Sequence, residues 1–80
     1  MKTFDIFTCS QIHEVKYESM KVAIEKTKES WKKLMLRGDK IRHRSVTKDK
    51  DVLIQIITKK GDFRTGCRIV RVFNKRKLHH

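Results

Sequence analysis

The chain has 80 residues, 38% hydrophobic and 38% charged, and its 21 lysines and arginines against 9 acidic residues give a net charge of +12. A chain of that length holds one small domain that buries about 60% of its unfolded surface, which excludes a second core and a deep enzyme cleft. No apolar run is long enough to span a bilayer, and MKTFDIFTCS, broken by Asp5, lacks the form of a secretory signal, so a cytoplasmic location is expected.

The charge is unevenly distributed. Residues 1–36 carry +2 and residues 37–80 carry +10, with every arginine in the second part and every glutamate in the first. Solubility alone does not require such segregation, and it points to a polyanion-binding surface in the second half. The two cysteines, Cys9 and Cys67, suit a reducing compartment where a thiol behaves as a small buried hydrophobe, with a Cys9–Cys67 disulfide as the alternative.

In chain order, FDIFTC reads as a strand with Phe4 and Ile6 on one face. IHEVKY alternates Ile12, Glu14 and Lys16 against His13, Val15 and Tyr17. That suits a second strand better than an early turn of the next helix, whose apolar stripe does not reach back through it. In SMKVAIEKTKESWKKLMLRG, Met20, Ile24, Thr27, Trp31 and Leu34 recur at helical spacing, with Ser19 as N-cap and Gly38 as the residue just past the end. Glu25 and Glu29 face Lys28, Lys32 and Lys33 on the opposite side, so this helix is structural and Trp31 reads as a core anchor rather than a stacking platform. DKIRHRSV is a short strand or an ordered loop from which Arg42 and Arg44 project together, and Arg37-Gly38-Asp39 reads as helix end and turn rather than as an adhesion tripeptide.

DVLIQIIT and FRTGCRIV flank a glycine-containing turn and predict a hairpin. A two-residue loop, Lys60–Gly61, would set Thr58 opposite Phe63, Ile57 opposite Arg64, Ile56 opposite Thr65, Ile54 opposite Cys67 and Val52 opposite Ile69. Alternation then gives one apolar face for the helix and an uncovered face with Leu53, Gln55, Ile57 and Lys59 beside Arg64, Gly66, Arg68 and Val70. Beyond Ile69, Arg71 and Phe73 would fall on the covered face, which calls for a bulge or the end of pairing. The expected architecture is α+β: a single domain over residues 1–74, with an antiparallel sheet of four to five strands and one long helix packed on one face. Residues 75–80 read as a basic tail whose end, Lys77-Leu78-His79-His80, could be the start of a purification tag, so its histidines carry no weight.

The residues argue against several chemistries. No Cys-x-x-Cys or His-x-x-x-His pair suggests zinc, no glycine-rich loop suggests a nucleotide phosphate site, and no cofactor is expected. Ser10, His13 and Glu14 are close in sequence, but nothing builds a pocket for covalent catalysis around them. A metal-free endoribonuclease is a rival reading, with His13 or His43, Glu14, Tyr17 and an arginine as acid, base and phosphate ligands.

The strongest constellation is basic: Arg42, Arg44, Lys59, Lys60, Arg64 and Arg68. Guanidinium groups fork onto phosphate oxygens, so the first reading is a small non-enzymatic nucleic-acid-binding protein working mainly through phosphate contacts. Duplex DNA is slightly favoured over RNA, because the uncovered face has few aromatics and lacks the two or three on which sheet-based single-strand binders stack bases. Helix-turn-helix, zinc-finger and ribonucleoprotein motifs do not appear. The second reading is a protein-interaction module, an inhibitor or modulator docking its basic face on an acidic partner. Leu53, Ile57 and Val70 on the same face could pack on sugars or bases, insert into a groove, anchor such a partner or form the seam of a homodimer. The short, lysine-rich, proline-free composition is of a kind common among small phage or mobile-element accessory proteins.

Overall fold

Alternating apolar residues build five strands, β1 (Lys2–Phe7), β2 (Ile12–Tyr17), β3 (Lys40–Thr47), β4 (Asp51–Ile57) and β5 (Phe63–Val72), with one helix, α1 (Met20–Trp31), between β2 and β3. The computed structural model describes residues 1–47 and 51–73, so the basic tail from residue 75 lies outside the described residues. The strands pair antiparallel in the order β2-β1-β5-β4-β3. The fold is therefore α+β, with IHEVKY and DKIRHRSV both in the sheet. The first and last strands are neighbours, and β5 lies at the centre with β1 on one side and β4 on the other.

Side chains alternate across each strand, so the register sorts them onto two faces. One face presents Phe4, Ile6, Val52, Ile54, Cys67 and Ile69 to the helix, which meets them with Ala23. Ala23 and Thr27, one turn apart, are the two buried helix residues, and their small side chains let the helix lie close to the sheet. Met20, Ile24 and Trp31 pack at the margin, so Trp31, expected as a core anchor, is half-buried against the core instead. Ser19 caps the helix, its Oγ accepting from the Val22 amide at 3.3 Å.

The other end of the helix differs from the sequence reading. The α-helix stops at Trp31 and a single 3-10 turn, Lys32–Leu34, follows. The tighter winding rotates Leu34 off the apolar stripe, and it is 52% exposed. Gly38 does not terminate the helix but sits at φ 89° in the turn that the Asp39 amide closes onto the Leu36 carbonyl at 3.0 Å.

The hairpin keeps the expected pairs Ile56–Thr65, Ile54–Cys67 and Val52–Ile69, but reaches them by another route. Thr58 pairs with Asp62, its amide donating to the Asp62 carbonyl at 2.8 Å, around a three-residue loop whose last member, Gly61, has φ 94°. Ile57 consequently faces Phe63, and Arg64 is the extra residue of a bulge that restores the register at Thr65. Two irregularities of one residue each cancel, leaving the core pairing intact while changing what faces outward at the hairpin base.

Past Ile69 the pairing continues without a break: Arg71 faces Phe4 on the covered side. It is accommodated there because its guanidinium lies 4.4 Å from the centroid of the Phe73 ring and 5.9 Å from that of Phe4, an aromatic setting favourable to a cation. Both cysteines are free thiols, Cys9 exposed and Cys67 buried.

The Thr27 Oγ1 is buried with no hydrogen-bond partner among the described residues, a defect that costs about 1–3 kcal/mol. Thr27→Val, nearly isosteric and similar in helix propensity, is expected to raise stability by about 1 kcal/mol, read as a higher urea midpoint at unchanged m-value. A lower midpoint would mean the hydroxyl is satisfied.

A candidate nucleic-acid interface on the open face of the sheet

The face that the helix does not cover is built from alternate residues of all five strands. Its cationic part lies on β3, β4 and β5. Lys40, Arg42 and Arg44 on β3 stand opposite Ile57, Gln55 and Leu53 on β4; Leu53 and Gln55 in turn stand opposite Arg68 and Gly66 on β5. The part on β1 and β2 is mixed, with Asp5 opposite Glu14 and Phe7 opposite Ile12.

Of the basic residues singled out in the sequence, Arg42 and Arg44 are exposed on this face. The Arg42 Nε donates to Gln55 Oε1 at 3.1 Å, and no carboxylate among the described residues pairs with Lys40, Arg42 or Arg44. Lys59 and Lys60 are exposed at the hairpin tip, where the Lys59 stem lies against Gly38: a Cβ built there would sit 3.2 Å from the Lys59 Cβ. Arg68 is also on the open face, but its guanidinium forks onto Asp51, with Nε 2.6 Å from Oδ1 and Nη2 2.7 Å from Oδ2. A phosphate would have to share or displace that carboxylate.

Arg64 is in a different place from the one its spacing suggests. As the bulge residue it does not face Ile57. Its Nε donates to Asp39 Oδ2 at 3.0 Å, and its Nη2 reaches both that carboxylate and the Leu34 carbonyl. The ion pair clamps the base of the hairpin to the segment between α1 and β3. Asp39 also accepts from the Leu36 amide at 2.8 Å. That amide first, then Arg64, holds its carboxyl below the ordinary carboxylate range against the opposing pull of burial.

Two contributors to the face were missed in the sequence. Lys40 was legible, since it alternates with Arg42 and Arg44. Phe63 was not: only the bulge turns it to the open side, where it is 60% exposed. With Phe7, 36% exposed and opposite Arg68, the face carries two aromatic rings, correcting the expectation that it lacks the two or three on which bases could stack.

His13 on β2 and His43 on β3 occupy opposite edges of the sheet, four strand spacings or roughly 19 Å apart, so they cannot serve one reaction as acid and base. Lys28 Nζ lies 3.1 Å from the His43 Nδ1. An ammonium only donates, so Nδ1 accepts and the neutral ring carries its proton on Nε2. Burial pushes the Cys67 thiol up to about 11, which makes it a poor nucleophile. Among the described residues no group of three or more His, Cys, Asp or Glu is placed to hold a metal ion, and no helix is long and apolar enough to cross a membrane. No protein-family model, curated protein or solved structure matches the chain.

The Asp39 clamp makes stability depend on pH in a definite direction. Its lowered carboxyl contributes stability above the ordinary carboxylate range, and this is lost as pH falls through the lowered value. Asp39→Asn is expected to melt below the parent at neutral pH and to lose less on acidification below about pH 4. Parallel melting curves for the two proteins from neutral to acid pH would sink this assignment.

Proposed function

We propose that this chain is a small non-enzymatic nucleic-acid-binding protein that grips the phosphate backbone along β3 and the neighbouring part of the open face. The observation that carries the reading is the row Lys40, Arg42, Arg44. Residues two apart on a strand lie roughly 6.6 Å from each other on one side, a spacing comparable with that of successive phosphates along a nucleic-acid strand. All three side chains are exposed on a sheet edge, and no carboxylate among the described residues neutralises them. Arg42 is held in place by Gln55 through a neutral hydrogen bond that leaves its charge available. Lys59, Lys60 and Arg37 extend the positive field past the lower end of the row.

One observation favours a second reading. Phe7 and Ile12 form an exposed cross-strand pair next to Arg68, and an apolar patch beside a cation suits docking on an acidic protein. Such a protein would show little affinity for free nucleic acid and would depend on apolar anchors more than on any one arginine.

The test is a salt titration of binding to labelled duplex DNA, single-stranded DNA and RNA, with the RNA checked for cleavage. Arg44→Ala and Arg42→Ala are each expected to weaken binding to all sequences and to lower the salt slope by about one unit. Asp51→Asn, which releases the fork of Arg68, is expected to tighten binding and steepen the slope by a similar amount. No binding by the parent at about 100 mM salt and protein well above a micromolar would favour the acidic protein partner instead.

A further inference from the structure

A groove of about 350 Å³ opens on the same face, lined by Leu53, Ile54, Gln55, Phe63, Gly66 and Cys67. Its lining is almost wholly apolar, and it lies at the small end of ligand-binding clefts. We propose that it receives one unpaired base of a single-stranded nucleic acid, so that the protein prefers single strands over duplex. The inference rests on the phosphate-binding reading above and adds the part of the nucleotide that reading leaves unassigned.

Three features of the groove suit a base. The first is a ring with an open surface: Phe63 is turned outward by the Arg64 bulge and remains 60% exposed at the groove's end. The second is a floor without a side chain. A Cβ at Gly66 would collide with the Ile54 carbonyl oxygen and lie 3.2 Å from the Phe63 ring, so only glycine fits there and the ring adjoins bare backbone. The third is a single oriented polar group. Arg42 has only donors, so the Gln55 atom it holds is the amide oxygen. The Gln55 NH2 is thereby left to donate, and no acceptor among the described residues takes it. Base carbonyls and ring nitrogens are acceptors of the right kind.

Charge complementarity selects the occupant. The groove lies on β5 and β4, and the cationic row on β3 is one to two strand spacings away, about 5–10 Å. One nucleotide spans such a distance from base to phosphate. A base in the groove would therefore place its own backbone on Lys40, Arg42 and Arg44. A base inside a duplex has both faces stacked and cannot lie against Phe63 unless it is flipped out.

The experiment compares the parent, Phe63→Ala, Phe63→Leu and Arg44→Ala on 12-mers of deoxythymidine and of uridine and on a 12-base-pair duplex, with thermal melts to verify folding. A 2-aminopurine placed mid-strand reports stacking through its quenching. The parent is expected to bind single strands more tightly than duplex and to quench the probe. Phe63→Ala is expected to lose about 5- to 100-fold on single strands with little change on duplex and no change in salt slope. Phe63→Leu, which keeps apolar bulk without a π-face, should lose affinity and quenching in the same way. The deoxythymidine and uridine arms show whether DNA or RNA supplies the base. If both Phe63 variants bind single strands like the parent while Arg44→Ala binds less well, the base groove is wrong and the phosphate reading stands. If the parent binds none of the three, both fail.

Discussion

A single helix can shield only one face of this sheet. Five strands at about 4.8 Å spacing make a surface roughly 24 Å wide, whereas the twelve residues of α1 supply a rod about 18 Å long and 10 Å across. The helix covers the middle of one side, where Ala23 and Thr27 let it lie close over Phe4, Ile54, Cys67 and Ile69. The opposite side meets solvent along its whole extent. Each strand must therefore alternate between residues that exclude water and residues that accept it, and the second set is where a partner can be met.

That constraint also accounts for the aromatic and basic residues that do not belong to the core. Arg71 falls on the covered side but beyond the hydrophobic centre, and the Phe73 and Phe4 rings make the position tolerable for a cation. On the open side the arginines divide by their neighbours. Arg64 and Arg68 are tied to Asp39 and Asp51 and fix the hairpin base and the start of β4. Arg42 and Arg44 have no such partner among the described residues. A basic composition is thus a mixture of structural cations and available ones, and only the carboxylates that fold against them separate the two.

The bulge at Arg64 is the point where structure and proposed function meet. One residue expelled from the ladder sends a guanidinium toward the segment between α1 and β3, and the same event turns Phe63 to the open face beside Gly66. The groove is lined by that ring together with Gly66. Bulges re-aim side chains at the ends of hairpins, and here one converts a plain basic surface into a basic surface with an aromatic wall.

The sequence by itself determined the helix, the hairpin, the two N-terminal strands and the sorting of the core. Period-two alternation in IHEVKY and DVLIQII, the stripe of Met20, Ile24, Thr27 and Trp31, and the cap at Ser19 are local signals, and local periodicity dictates which side chains share a face. Arg42 and Arg44 were legible for the same reason. What only the tertiary structure decided was the place of DKIRHRSV in the sheet, the bulge that compensates the loop, the end of the helix at Trp31 and the pairing of Arg64 and Arg68. A two-residue loop would require positive φ at Lys60 as well as at Gly61, whereas the three-residue loop asks it of Gly61 alone. The arginine pairings, by contrast, fall to contacts made far along the chain. Asp39 lies twenty-five residues before Arg64, and no pattern within a single strand records that the two will meet.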